Sequence, residues 1–209
     1  MATLRQNIPH VQQPINSAWC GAACLKMIYE LYNIPCSLEE IWNEVKGIDE
    51  RTHDVNCRLY LMGRHVRKMN LNPCAISTPN PIQTLDACFN AGLHVVTLFR
   101  SDLQSNLAHF VVVTGWDSDR IFFNDPWDDC SVGKDKSIPL VDWFLRGQPT
   151  ATSQLTTANT MLLIGSALSD VLHLQGIHDP NIGIESVDVF PAVVQNGLKV
   201  LCLEHDRWF

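Results

Sequence analysis

The sequence predicts an α+β domain in which an N-terminal helix that carries a cysteine packs on an antiparallel β-sheet. The helix is indicated by apolar residues at i, i+3, i+4 and i+7 on one face, namely Cys24, Met27, Ile28 and Leu31. The sheet is indicated by two runs rich in β-branched and aromatic residues, 109–115 and 120–127, which turn residues connect. These two runs predict a β-hairpin.

Composition places the chain among globular proteins. Hydrophobic residues make up 46% of the 209 residues and charged residues 18%, which gives enough apolar content to bury a core. The net charge of −7 argues against general binding to nucleic acid or to anionic membranes. Because there is no run of ~18 apolar residues and no signal-peptide core near Met1, we expect no transmembrane segment and a cytoplasmic location.

The eight cysteines do not form a metal-binding pattern. None belongs to a Cys-x-x-Cys pair, and none stands at zinc-ligand spacing from a histidine. His173, His178 and Asp179 could suggest a metal site, but their spacing does not match His-Glu-x-x-His and a structural role is favoured. We therefore expect no metal and no cofactor, and reduced thiols rather than a disulfide framework.

The remaining elements follow from local signals in chain order. The first helix covers about residues 20–32, and a capping box of Ser37 and Glu40 begins a second helix, which Gly47 ends. A third helix at about 55–69, a strand at 72–76, a helix that Pro81 begins and Gly92 ends, and a strand at 93–99 come before the hairpin. A short helix at 138–145 and a strand at 160–164 come after it.

The chain is predicted to consist of one domain, residues 1–165, and a C-terminal α/β extension, residues 166–209. In the extension we expect helices near 166–175 and 184–195 and a strand at 198–203. The pattern is apolar enough for the extension to pack on the core rather than to trail from it.

Cys20 is the first candidate functional residue, because it lies at the first turn of the predicted N-terminal helix. The unpaired N–H groups and the positive end of the helix dipole favour a thiolate over a thiol there. A cysteine beside an apolar helix face is more often a core residue, so this stretch alone favours a structural role. Cys24, one turn later, is predicted to be core.

The hairpin supplies candidate partners for Cys20. If Gly115 pairs with Arg120, then the residue opposite His109 is Pro126, and Asp125 lies beside it. Pro126 cannot donate to a ladder and should end the strand at the margin of the sheet. An imidazole held by a carboxylate at a sheet end can serve as the base of a Cys-His-Asp triad. The alternative is a surface His–Asp pair without a catalytic role.

Three linked motifs resemble the papain-like cysteine peptidases, in particular the branch that includes the double-glycine leader peptidases of bacteriocin exporters. The motifs are Cys20-Gly21-Ala22-Ala23-Cys24-Leu25-Lys26-Met27, His109-Phe110-Val111-Val112-Val113-Thr114-Gly115, and Asn124-Asp125-Pro126. The resemblance spans roughly residues 7–165. It implies a papain-like cysteine peptidase fold with Cys20 as nucleophile, His109 as base and Asp125 as orienting group.

The resemblance also implies an oxyanion hole made by a glutamine ahead of the cysteine and by the cysteine's own N–H. Gln13 is the match, but it lies one residue further from Cys20 than is usual in the family, so Gln12 remains an alternative. Trp127 resembles the tryptophan that shields the His–carboxylate bond in papain relatives.

The implied activity is hydrolysis of a peptide bond through an acyl-thioester, with a leader or precursor peptide as substrate. Two alternatives remain open. One is another acyl-transfer enzyme on the same triad, such as a deamidase, amidase, transglutaminase-like enzyme or peptide cyclase. The other is a non-catalytic peptide-binding module, against which the intact triad counts.

Overall fold

The computed structural model describes residues 4–49, 53–127, 132–165, 199–203 and 207–208. The helices in these ranges are α1 (Cys20–Leu31), α2 (Leu38–Val45), α3 (Leu59–Lys68), α4 (Pro81–Asn90) and α5 (Leu140–Arg146). The strands are β1 (Leu4–Arg5), β2 (Lys46–Ile48), β3 (Val55–Cys57), β4 (Asn72–Ser77), β5 (His94–Arg100), β6 (Ala108–Trp116), β7 (Arg120–Asn124), β8 (Lys136–Pro139), β9 (Thr160–Gly165), β10 (Lys199–Cys202) and β11 (Arg207–Trp208). No helix among the described residues has the length and apolarity needed to cross a membrane.

One large antiparallel sheet organises the fold. Its strand order is β11-β10-β4-β9-β5-β6-β7-β8, and β1 pairs with the end of β6. Strands β2 and β3 form a separate antiparallel hairpin. The predicted antiparallel sheet, with the cysteine-bearing helix α1 packed against its strand β6, is therefore confirmed.

The helices cover the sheet from two sides, because alternate residues of the central strands point to different cores. Helices α1, α2 and α3 pack with Val96, Val112 and Leu162. Helices α4 and α5 pack with Val95, Val113 and other residues of the opposite alternation. This alternation is the one expected for a sheet that is buried on both faces.

The start of α1 is held very close to its neighbours. A Cβ atom on Gly21 would lie 2.7 Å from the Cβ of Cys57 and 2.7 Å from the Sδ of Met62, so only glycine fits without a shift of these groups. Cys24 is fully buried in the same core, as predicted from the helix periodicity. The tight packing fixes where the first residue of the helix, Cys20, can lie.

Several predicted boundaries differ from the structure where short strands form. Helix α2 has the predicted capping box, but it ends at Val45, and Gly47 lies in β2 rather than at the helix end. Residues 55–57 form β3, so the third helix begins only at Leu59. The helix predicted at 138–145 begins at Leu140, because residues 136–139 pair with β7 as β8. In each case a tertiary strand partner overrides the local pattern.

The predicted register of the β6–β7 hairpin was wrong. Gly115 pairs with Phe122 rather than with Arg120, and a bulge at Thr114 changes the register before Val112 pairs with Asn124. A bulge adds one unpaired residue to one strand, and no signal in the sequence locates it. Continued beyond the ladder, the observed register places His109 opposite Trp127 instead of Pro126.

Part of the predicted C-terminal extension lies outside the described residues. This applies to the helices near 166–175 and 184–195 and to His173, His178 and Asp179. The strand predicted at 198–203 is found as β10, which pairs with β4.

Candidate active site

The segment before α1 follows the end of the hairpin and reaches the site in a fixed register. The buried Asn124 side chain donates from Nδ2 to the backbone oxygens of Ile8, at 2.9 Å, and Pro9, at 3.2 Å. His10 Nε2 donates to the backbone oxygen of Asp125 at 2.8 Å. The backbone N–H of Gln13 donates to the oxygen of Pro126 at 2.8 Å. Residues 8–13, the lead-in to α1, are thus attached to the last residue of β7 and to the two residues that follow it.

Cys20 is the first residue of α1 and is partly buried. Burial raises the pKa of its thiol, but the hydrogen bond and charge of His109, with backbone hydrogen bonds at Phe110 and Gly21, lower it by more. The net pKa is below the ordinary value of a cysteine. The thiolate therefore forms more readily here than at an ordinary cysteine.

His109 links Cys20 to Asp125. Its Nε2 donates to Asp125 Oδ1 at 2.8 Å, and the other side of the ring interacts with the Cys20 thiol. Burial lowers the pKa of His109, but the hydrogen bonds with Asp125 and Cys20 raise it to about 9. The imidazole is thus charged at neutral pH, as the partner of a thiolate should be.

Asp125 is held by three groups. Besides His109, its Oδ1 accepts from the backbone N–H of Trp127 at 3.0 Å, and its Oδ2 accepts from Lys136 Nζ at 3.0 Å. Burial raises the pKa of Asp125, but the hydrogen bond and charge of His109 and the bonds from Trp127 and Lys136 bring it well below its usual range. The carboxylate is therefore charged at neutral pH and well into the acidic range.

The ring of Trp127 stacks on the imidazole of His109, with centroids 4.4 Å apart and planes 20° from parallel. Trp127 remains 47% exposed, so its outer face meets solvent while its inner face covers the His109 ring. This is the position that the resemblance implied for the shielding tryptophan.

Gln13 and Gln12 differ in where they lie. Gln13 is 3% exposed and lines the same cavity as Cys20 and His109. Its Nε2 donates to the backbone oxygen of Ser17, and its buried Oε1 has no hydrogen-bond partner among the described residues. Gln12 is only partly buried and does not line the cavity. The structure thus brings Gln13, and not Gln12, to the cavity of Cys20.

The cavity has a volume of about 950 Å³. The start of α1, the β2–β3 hairpin and the ends of β5, β6 and β9 line it. It is large enough for several residues of a peptide, within the usual range of ligand pockets. Among the described residues, no group of three or more His, Cys, Asp and Glu side chains has an arrangement that could hold a metal ion.

Cys20 differs from the other cysteines in its ionisation. Of the six cysteines whose side chains the structure describes, it alone has a pKa below the ordinary value. Burial raises the pKa of Cys74 and of Cys88 to about 12. Cys57 lines the cavity too, but burial and the charge of Cys20 raise its pKa. Among these six described cysteines, Cys20 is therefore the thiol best suited to nucleophilic attack.

Sequence reasoning missed two residues of this region. Lys136 is not singled out by any motif, because its contact with Asp125 depends on the pairing of β8 with β7. Asn124 belonged to a recognised motif, but its contact with the lead-in joins residues 116 positions apart. Neither contact has a local signal in the sequence.

Comparisons with known proteins agree with this architecture. Solved structures with the same fold include a double glycine motif protease from an AMS/PCAT transporter in complex with the leader peptide. Its sequence is 17% identical to this chain, the TM-score is 0.51, and the match covers 78% of this chain and 94% of that one. A C39-like peptidase from Bacillus anthracis gives 15% identity, a TM-score of 0.58, and coverage of 79% and 98%. The third is the peptidase domain of Streptococcus ComA, a bifunctional ABC transporter of a quorum-sensing pathway. It gives 15% identity, a TM-score of 0.52, and coverage of 76% of this chain and 98% of that one.

At identities of 15–17%, these structural similarities establish the fold alone, and the family is shown by a sequence profile. Among curated protein sequences, none matches this chain significantly. The profile described as Peptidase_C39 like family matches residues 5–148, which is more than half of the chain and includes Cys20, His109 and Asp125. The papain-like resemblance predicted from the three motifs is thereby confirmed, and the chain belongs to the Peptidase_C39 like family.

Proposed function

We propose that this chain is a cysteine peptidase that cleaves a leader or precursor peptide through a Cys20-His109-Asp125 triad. The observation that carries the proposal is the line of contacts from the Cys20 thiol through His109 to Asp125, within a cavity that can hold a peptide. Membership of the family supports peptidase activity. The structural neighbour bound to a leader peptide supports the class of substrate.

In the first half of the reaction the Cys20 thiolate attacks the carbonyl carbon of the scissile bond and forms a C–S bond. The carbonyl oxygen becomes an oxyanion, which the N–H of Cys20 and the side-chain N–H₂ of Gln13 stabilise. His109 then gives its proton to the nitrogen of the leaving amine as the C–N bond breaks. The product of this half is an acyl-thioester on Cys20.

In the second half, water enters and neutral His109 takes its proton. The resulting hydroxide attacks the thioester, the C–S bond breaks, and the peptide acid leaves. The ion pair of the Cys20 thiolate and the His109 imidazolium is restored. Asp125 holds the imidazole in orientation throughout and stabilises its positive charge.

The choice of Gln13 for the oxyanion hole rests on its place in the cavity that Cys20 also lines and on the bonds that fix the lead-in. Pro14 follows Gln13 and favours an extended backbone there, in which neighbouring side chains point to opposite sides. If Gln13 faces the cavity, Gln12 faces away from it. The burial of the two residues agrees with this alternation.

The first test is selective labelling of the thiol. Iodoacetamide at neutral pH, followed by peptide mass spectrometry, should modify Cys20 faster than each of the other seven cysteines. Faster labelling of another cysteine would contradict the role given to Cys20. His109→Ala should remove most of the advantage, because the thiol loses its charged partner.

The second test identifies the substrate. Purified Cys20→Ala, mixed with peptides from a source lysate, should retain a peptide that the wild-type chain cuts into two pieces. Products formed in H₂¹⁸O should carry one ¹⁸O on the new carboxylate, which distinguishes hydrolysis from acyl transfer to an amine. Cleavage by Cys20→Ala itself, or a product without ¹⁸O, would overturn the proposal.

A further inference from the structure

A second cysteine, Cys57, lies against the turn of chain that carries Cys20. It is the last residue of β3 and lines the same cavity as Cys20. A Cβ atom on Gly21, the residue that follows Cys20, would lie 2.7 Å from the Cβ of Cys57 and 3.0 Å from its Sγ. The side chain of Cys57 is therefore in direct contact with the start of α1.

The sulfur of Cys57 is surrounded by backbone groups of that turn. Its thiol donates to the backbone oxygen of Ala18 at 3.5 Å. Burial and the charge of Cys20 raise the pKa of Cys57, while backbone N–H groups at the start of α1, that of Gly21 among them, lower it. Burial also raises the pKa of Cys20, and His109 and the same N–H of Gly21 are among the groups that lower it. The two sulfurs thus lie close to one peptide N–H group.

Cys24 is nearer to Cys20 along the chain, but its surroundings differ. It lies one turn further along α1, is fully buried in the core and does not line the cavity. Cys57 does line the cavity. Of the two, Cys57 is the thiol that faces the space in which the Cys20 sulfur reacts.

The strand that carries Cys57 belongs to a small sheet. Among the described strands, β3 pairs with β2 alone, and the two form a hairpin of three residues each, separate from the large sheet. A disulfide requires about 2.0 Å between the sulfur atoms and about 4–7 Å between the Cα atoms. A small shift of this hairpin can supply that approach while β6, which carries His109, keeps its place in the large sheet.

We propose that Cys57 is a resolving cysteine, which converts Cys20 oxidised by a hydroperoxide into a Cys20–Cys57 disulfide. The bridge removes the nucleophile reversibly, because a thiol can reduce a disulfide but cannot reduce a sulfinic acid. The inference goes beyond the proposed function. It requires a reactive Cys20 thiol and does not depend on which bond the chain cleaves.

The chemistry has two steps, written here for hydrogen peroxide. The Cys20 thiolate attacks one oxygen, an S–O bond forms as the O–O bond breaks, and the leaving hydroxide takes the proton of His109 to become water. The Cys57 sulfur then attacks the sulfur of the Cys20 sulfenic acid. An S–S bond forms, the S–O bond breaks, and the hydroxyl leaves as water with the proton of the Cys57 thiol. Two thiols are oxidised by two electrons in total, and one peroxide is reduced to two waters.

The test maps the cysteine linkages of the whole chain after mild treatment with hydrogen peroxide. The remaining thiols are blocked with N-ethylmaleimide, and the chain is digested without reductant for mass spectrometry. The wild-type chain should give a linked pair of peptides that contain Cys20 and Cys57, lighter by two hydrogens than the two reduced peptides together. Dithiothreitol should then restore the rapid labelling of Cys20 by iodoacetamide.

Cys57→Ser leaves oxidised Cys20 without its partner. Dimedone, which reacts with sulfenic acids, should label Cys20 several-fold more in this variant than in the wild-type chain. Longer exposure should give a sulfinic acid on Cys20, two oxygens heavier, which dithiothreitol does not reverse. Cys57→Ala should behave in the same way and replaces the serine variant if that variant does not fold.

Cys36→Ser is the matched control. Cys36 is also a free cysteine, it is only partly buried, and it does not line the cavity. Its removal should leave the linked pair of Cys20 and Cys57 as abundant as in the wild-type chain.

The outcomes separate this proposal from the proposed function. A bridge from Cys20 to any other cysteine, or a disulfide between two copies of the chain, would overturn the role of Cys57. Oxidation of wild-type Cys20 to the sulfinic acid as fast as in Cys57→Ser would overturn it as well. Neither result would affect Cys20 as the nucleophile of a peptidase, which fails instead if iodoacetamide does not select Cys20.

Discussion

Replacing Lys136 by methionine should make His109 more basic. The Nζ of Lys136 lies 3.0 Å from Asp125 Oδ2, and Asp125 Oδ1 lies 2.8 Å from His109 Nε2. The ammonium therefore offsets part of the negative charge that stabilises the imidazolium. When the ammonium is removed, Asp125 keeps its bond from the N–H of Trp127 and faces His109 with its charge less compensated. The pKa of His109 should rise.

The size of this effect follows from the distance and the exposure. The contacts through Asp125 place the ammonium roughly 5–8 Å from the imidazole, where two unit charges interact by about 2–3 kcal/mol at an effective dielectric constant near 20 and by about 0.5–0.8 kcal/mol at that of water. The Lys136 side chain is 36% exposed, so solvent screens part of this energy. We therefore expect the pKa of His109 to rise from about 9 by about 0.5 pH units.

The assay is the rate of Cys20 alkylation by iodoacetamide between about pH 5 and 11, which needs no substrate. The rate changes once where the thiol ionises and again where the imidazolium loses its proton, and the second step should move upward in Lys136→Met. Lys136→Arg keeps the charge and should leave that step in place. Lys134→Met removes the same charge from an exposed neighbouring position and should shift the step less.

An unchanged second step in Lys136→Met would refute the reasoning, because the ion pair with Asp125 would then have no electrostatic consequence at His109. A downward shift would refute it in another way. It would mean that Asp125 leaves the imidazole when Lys136 is absent, so the bond from Trp127 is insufficient to hold the carboxylate.

The other predictions concern residues around the same thiol. Asp125→Asn should lower turnover of the processed peptide by less than Cys20→Ala or His109→Ala does, because an amide oxygen can still accept from the imidazole; a loss as complete as in Cys20→Ala would contradict this. Gln13→Ala should lower turnover on the order of 10²–10³-fold with little change in substrate binding, while Gln12→Ala stays near wild type. The reverse result would show that the lead-in is shifted by one residue. Gly21→Ala should destabilise the fold by about 1–3 kcal/mol in urea unfolding, because the new methyl group meets Cys57 and Met62; wild-type stability would show that these neighbours relax freely.

Local sequence signals predicted the helices well. The start of α1 at Cys20 and the capping box of α2 depend on residues within one or two turns, and both are found as expected. Strands β2, β3 and β8 were missed because each has only three or four residues and forms where a neighbouring strand offers hydrogen bonds. A pattern of that length has no period from which it could be recognised.

The prediction for the hairpin was right about the pair and wrong about the register. His109 and Asp125 meet, as expected, but through a hairpin with a bulge at Thr114 and with Trp127 opposite the imidazole. The prediction assumed a hairpin without the bulge. His109 and Asp125 come close in both the predicted and the observed register, because both lie at the same end of the hairpin. The contact of Lys136 with Asp125 was beyond prediction, since it requires knowing that β8 pairs with β7.

The path of the lead-in along the hairpin also determines when the site can form during folding. The bonds from Asn124 to Ile8 and from His10 to Asp125 join residues 116 and 115 positions apart. Contacts of such long sequence separation form late, because the entropy of closing a large loop must be overcome first. We expect a growing chain to have a helical Cys20 long before it has a reactive one. The thiol would acquire its charged partner only after residue 125 has left the ribosome and the sheet has closed around it.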